Sequence, residues 1–210
     1  MNSASAFSDT DTTLLRQQIR QQVRAQRRSL SPQQQGEFAH QAADRVMAHP
    51  RVASASRVAL FLSFDGELDT KPLIAALWQQ QKQVYLPVLH PFCAGHLLFL
   101  RYSEHTELVR NRLKIEEPRL DVRDVLPVWQ LDVLLTPLVA FDASGQRLGM
   151  GGGFYDRTLQ HWRTHGPYPI GLAHDCQQVP VLPVAHWDIP LPEVITPSRY
   201  WRWSAYSDSE

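Results

Sequence analysis

Only two cysteines, Cys93 and Cys176, occur in this 210-residue chain, far apart and outside any Cys-x-x-Cys pair. A disulfide framework is therefore excluded, and a reducing cytoplasm is the expected compartment. Long hydrophobic runs are missing as well. No segment approaches eighteen apolar residues, so no membrane span is expected, and the polar first thirteen residues hold no signal-peptide core. Nor is there an excess charge of either sign: 21 basic residues balance 21 acidic ones, which argues against nucleic acid as the principal partner. Lysine is scarce, with Lys71, Lys82 and Lys114 against 18 arginines. Arginine's planar fork suits bidentate binding of carboxylate and phosphate, although genomic base composition would produce the same bias. What remains is the composition of a soluble globular protein, 43% hydrophobic and 20% charged. Its length suits one domain with a proper core.

The N-terminal part reads as helix. Leu15, Ile19 and Val23 recur at four-residue spacing between Thr12 and Ser29, and Arg16, Arg20, Arg24 and Arg27 form a second stripe about 100° away around the axis. No acidic residue lies between Thr12 and Gly36, so these arginines have no local ion-pair partner; a solvated basic face is the plainest reading. Ser31-Pro32 starts a second helix that runs to about His49. From Arg57 the pattern alternates. Strands are expected at 58–62, 84–88, 97–100, 132–136 and 170–173, with helices from Lys71 to about Gln81, capped by Thr70, and from Gly153 to about Thr164. The βαβ spacing implies parallel, right-handed crossovers. Residues 1–13 are expected to be disordered, 14–49 to form a helical arm, and 57–200 to form the α/β core.

The segment from Asp132 to Arg157 carries the chemistry. An apolar strand ends at Pro137, a turn follows at Asp142-Ala143-Ser144-Gly145, and then come Arg147-Leu148-Gly149-Met150-Gly151-Gly152-Gly153 before Phe154-Tyr155-Asp156-Arg157. A glycine-dense loop opening into a helix offers free backbone N–H groups and a dipole end to phosphate. Arg147 and Arg157 add guanidinium forks, and Asp156 adds an oxygen suited to Mg²⁺. A flexible linker is the competing reading. The spacing matches no common nucleotide fingerprint: there is no lysine after Lys114 for a Walker A loop, and the sixth position from Gly149 is Phe154 rather than glycine. In a parallel sheet, ligands sit beyond the carboxyl ends of strands. The loops after Leu62 and Thr136 share that edge, so Glu67 and the glycine loop could face one site. A solvated loop acid is the alternative for Glu67.

Together these residues resemble the 5-formyltetrahydrofolate cyclo-ligase family, in its proteobacterial form. The resemblance runs from about Leu15 to Pro197. It rests on Leu15-Arg16 and the arginine helix, FLSFDGELDT at 61–70, VYLPVL at 84–89 and, most specifically, PLVAFDASGQRLGMGGGFYDR at 137–157. It implies a single three-layer α/β/α domain with a mostly parallel sheet. The implied enzyme uses ATP and Mg²⁺ to convert 5-formyltetrahydrofolate to 5,10-methenyltetrahydrofolate, releasing ADP and phosphate. ATP is then expected on Arg16, Arg20 and the run Arg147, Leu148, Gly149, Met150, Gly151, Gly152, Gly153, Phe154 and Tyr155. Folate is expected on Leu62, Phe64, Glu67, Phe154 and Tyr155, and Mg²⁺ near Asp156 and Asp188, with Arg147 and Tyr155 as the catalytic pair. Where the family often has a lysine four residues before the Arg16 position, Thr12 stands here, and Arg20 is expected to carry that charge. A monomer is expected. Two other classes stay open: a nucleotide- or anion-sensing module that binds ATP without turnover, and a sugar-phosphate isomerase that needs none.

Overall fold

A computed structural model describes residues 9–204. Helix α1 spans Asp9–Arg28, so residues 9–13 are helical rather than disordered, and residues 1–8 lie outside the described part. Helix α2, Pro32–Met47, starts where Ser31 Oγ accepts from the Gln34 amide and Gln34 returns a bond to the Ser31 amide; this capping box satisfies two orphan donors. A short helix α3, Pro50–Ser54, follows. The core then alternates: β1 Arg57–Ala59, α4 Lys71–Gln79, β2 Gln83–Leu89 and β3 Leu97–Tyr102. Next are β4 Leu108–Arg110, β5 Glu116–Pro118, β6 Val125–Leu126, β7 Val133–Pro137, β8 Ala140–Phe141 and β9 Arg147–Leu148. The chain closes with α5 Phe154–Thr158, α6 Trp162–His165, β10 Tyr168–Leu172, β11 Glu193–Ile195 and β12 Tyr200–Arg202.

Strands β11, β10, β7, β1 and β2 are parallel and adjacent in that order, with β12 antiparallel at one edge and β3 and β6 antiparallel at the other. The central strands read as continuous apolar runs because they are covered on both faces; Val58, Ala59, Leu134, Leu135 and Ile170 have no exposed surface. The crossover from β1 leads to β2 on one side, and that from β7 leads to β10 on the other. Right-handed crossovers in opposite directions put α4 and the α5–α6 segment on opposite faces, which produces the expected three layers. Helix α2 packs on α4.

Three local expectations need correction. Strand β1 ends at Ala59 rather than Leu62, although the Leu60 amide still reaches Tyr85 O at 3.1 Å. Thr70 stands at the N-cap of α4 as expected, but its side chain makes no capping bond. Its hydroxyl donates to Phe61 O at 2.7 Å, and Asp69 accepts from the Lys71 amide instead. The single helix expected from Gly153 to Thr164 is two short pieces. It breaks where the Trp162 amide takes Leu159 O, a tighter bond than helical continuation requires.

Candidate active site

Strands β1 and β7 are neighbours whose onward connections diverge, which makes the gap beyond their carboxyl ends the sheet's switch point. From β1 comes the loop with Leu62, Phe64 and Glu67; from β7 come the β8–β9 hairpin and the glycine loop. The β1 loop and, just past the glycine loop, Phe154 and Tyr155 line one cleft of about 630 Å³, open solvent at its mouth included. Leu62, Phe64, Glu67, Phe154 and Tyr155 all line it, so the five residues named as folate contacts are brought together.

Glu67 is buried, and one oxygen accepts from the Phe64 amide at 3.3 Å. Burial pushes its pKa up to about 7, opposed by the Arg27 cation and the Phe64 amide. Tyr155 is likewise pushed upward, first by burial and then by the Glu67 charge, so its hydroxyl is a hydrogen-bond donor at neutral pH and not a base. His174 lies fully buried nearby with a pKa lowered to about 4, mainly by burial.

The hairpin that precedes the glycine loop is built on Asp142, whose Oδ1 accepts from the Ser144 amide, the Ser144 hydroxyl and the Gln146 amide. This fixes Arg147 and Leu148, both buried. Gly151 and Gly153 adopt φ of 102° and 66°, a region open to glycine at little cost. Helix α5 has only five residues, so the expected dipole contribution is small. The anion-binding capacity rests on loop amides and arginines. Arg157, expected to flank the ligand, is taken by Gly152 O and Gly95 O at 2.8 and 3.1 Å and braces the loop instead.

Helix α1 crosses this region. Ile19 and Val23 pack on Val139, Ala140, Leu148 and Leu182; burying Val23 alone contributes roughly 1.5–3 kcal/mol. That docking overturns the solvated-face reading of the arginine stripe. Arg20 Nε donates to Gly149 O at 2.8 Å. Arg16 forks onto Asp188 at 2.5 and 2.9 Å and reaches Pro183 O. Arg24, Arg27 and Arg28 converge on Asp65. The missing ion-pair partners are therefore supplied from distant segments.

Asp156 accepts from Arg147 and from the Ile189 amide, which ties it to the segment that carries Asp188. Both carboxylates are thus held by arginines. Among the described residues no group of three or more His, Cys, Asp or Glu could hold a metal. Asp156 and Asp188 are of the ligand type that Mg²⁺ takes, commonly one or two carboxylates from protein with the rest from water and phosphate.

A sequence model of the 5-formyltetrahydrofolate cyclo-ligase family matches residues 13–197. The chain belongs to that family. Cyclo-ligases from Escherichia coli K12 and Haemophilus influenzae Rd are 66% and 52% identical to it, over 86% and 87% of this chain and 100% and 98% of theirs. In structure it is similar to the Aquifex aeolicus 5,10-methenyltetrahydrofolate synthetase, with a TM-score of 0.78 and 26% identity over 93% of this chain and 96% of that one.

Sequence reading of this cyclo-ligase family member missed one wall of the cleft. The β4–β5 hairpin contributes Asn111, Leu113, Ile115 and Glu117. Glu117 Oε2 accepts from Asn111 Nδ2 at 2.8 Å and from the Leu89 amide at 3.0 Å, closing the flap onto β2. The three-residue strands are too short for a periodic signal, and the only local cue is the polar turn between Val109 and Ile115.

Proposed function

We propose that the chain catalyses ATP-dependent closure of 5-formyltetrahydrofolate to 5,10-methenyltetrahydrofolate, with release of ADP and phosphate. The observation that carries this reading is the meeting, at one switch point, of an apolar cleft ending on Glu67 with the end of a glycine loop that Arg20 binds, Arg16 standing one turn away on Asp188. The cleft suits a flat ring system, with Phe64 and Phe154 as stacking faces and Glu67 accepting from the pterin N–H edge. The run Arg147 to Tyr155, with Arg16 and Arg20, suits a triphosphate.

The formyl oxygen of an amide is a poor leaving group. It attacks the γ-phosphorus, the bond to ADP breaks, and the oxygen becomes a phosphate ester on the formyl carbon. The neighbouring amine nitrogen then bonds to that carbon and gives up its proton, and phosphate departs with the C–O electron pair. Such transfers ask for positioning and charge neutralisation. Arg147 and the loop amides neutralise the transferring group, and Tyr155 donates a hydrogen bond at the junction of the two ligands. Asp156 and Asp188 would hold Mg²⁺, which shields phosphate charge when bound. Arg16 and Arg147 hold these carboxylates in place. The working unit is read as a monomer, and two free cysteines are in keeping with the cytoplasm. The test is the absorbance rise of methenyltetrahydrofolate on mixing protein, Mg-ATP and 5-formyltetrahydrofolate.

A further inference from the structure

Helix α1 serves two places at once. Its first half brings Arg20 to the glycine loop and Arg16 to Asp188, and its last two turns bring three guanidinium groups to one carboxylate. Arg24 Nε and Arg27 Nη2 lie 2.7 and 2.9 Å from Asp65 Oδ2, Arg28 holds Oδ1, and Arg27 Nε donates to the Asp65 carbonyl at 2.9 Å. One carboxylate does not need three cations for its own neutrality. Arg27 is moreover fully buried, a rare state for arginine. Its Nη1 makes no hydrogen bond and lies 3.9 Å from Glu67 Oε1. A buried donor left unmatched is costly.

The turn gripped by these arginines is the one that aims Glu67. Asp65 and Gly66 both take positive φ, 55° and 75°, and the Glu67 amide closes on Phe64 O at 3.0 Å. A Cβ on Gly66 would stand 3.2 Å from Arg27 O and from the Arg28 backbone, so the helix rests directly on the turn. Gln35 Nε2 binds both Arg27 O and Gly66 O at 3.3 Å. Arg27 itself does not line the cleft.

We propose that Arg27, clamped through Asp65, is a positioning residue that holds Glu67 in the orientation that meets the pterin. The inference rests on the functional reading above. The groups facing Glu67 are Arg27 from α1, Asp65 in its own turn and Tyr155 from α5, with neutral His174 close by. Arg27 lowers the Glu67 pKa and Asp65 raises it. Removing each should therefore move the acid limb of folate turnover in opposite directions, a signature that simple loss of packing would not produce.

The experiment uses the full chain with Asp65→Asn, Arg27→Gln and Arg27→Lys, and measures separate KM values for 5-formyltetrahydrofolate and ATP and the pH profile of kcat/KM for the folate. Asparagine tolerates positive φ, so the turn is kept. Asp65→Asn should raise the folate KM roughly tenfold or more, the scale of one charge-assisted contact, with the ATP KM within about twofold, and should shift the acid limb down. Arg27→Gln should shift the limb up, and Arg27→Lys should return it toward wild type. If Arg27→Gln does not fold, the raised folate KM and downward limb of Asp65→Asn decide. An unmoved limb overturns the inference, whether both KM values stay at wild type or rise in parallel. Failure of the wild-type protein to cyclise the folate would instead overturn the functional reading beneath it.

Discussion

Replacing Glu67 by Gln tests the folate side of the site most directly. The carboxylate can accept two hydrogen bonds from a planar N–H edge, whereas the amide must turn one acceptor into a donor facing a donor. Losing a charge-assisted bond and leaving its partner opposed costs roughly 2–4 kcal/mol, or about 30- to 700-fold in kcat/KM for the folate. The pH profile sharpens the test. With a Glu67 pKa of about 7, wild-type turnover should fall about tenfold for each pH unit below neutrality as the carboxylate protonates. The Gln variant should have no such limb. Stability should move the other way. An acid whose pKa rises from 4.5 unfolded to about 7 folded contributes stability that is full below pH 4.5 and lost as pH rises through 7, roughly 3 kcal/mol in all. The variant should therefore gain thermal stability over wild type at pH 8 and little at pH 5, as expected where function is built on a destabilised group. Initial-rate assays of methenyltetrahydrofolate absorbance from pH 5.5 to 8.5, with thermal melts at both ends, check both claims. A Gln variant that turns over folate at the wild-type rate, with its acid limb intact, refutes the assignment of Glu67.

Arg20→Ala should raise the KM for ATP roughly tenfold or more, from one lost charge-assisted contact, while leaving folate affinity nearly unchanged; initial rates at fixed folate decide. Gly152→Val should weaken both ligands rather than ATP alone, because a Cβ there would stand 2.6 Å from the Phe154 ring, which also lines the folate cleft; separate titrations with each ligand show whether the losses are paired. Asp156→Asn should raise the Mg²⁺ concentration for half-maximal rate about tenfold or more, since it removes one of two candidate carboxylates, and a metal titration that matches wild type would free Asp156 from that role.

Much of the fold was legible in the chain because it depends on local pattern. Ser31-Pro32 with Gln34 fixes the start of α2 by capping chemistry within four residues, and the apolar runs at 58–62, 84–88 and 132–136 need burial on both faces wherever they pair. The glycine loop and Arg147 could be read as an anion site from backbone freedom and charge alone. Helix breaks and strand ends were less accessible. Thr70 looks like a cap, yet its hydroxyl goes to Phe61 O, a partner made available only by the folded loop.

What only the tertiary structure decided is where the long-range partners lie. Nothing near residues 12–36 could announce that Arg16 would meet Asp188, or that Arg24, Arg27 and Arg28 would share Asp65. A charge's partner depends on three-dimensional distance, and these pairs are separated by 37 to 172 residues of sequence. The same holds for Glu67. Its residue type and place after a strand were visible in the sequence, but its pKa of about 7 comes from burial, which outweighs the opposing Arg27 cation, and that burial exists only once α1 docks across the carboxyl ends of β1 and β7. The chain itself determined which groups were available and which segments would be buried. Folding determined which carboxylate faces which cation, because Coulomb and desolvation energies depend on distance and burial rather than on order along the chain.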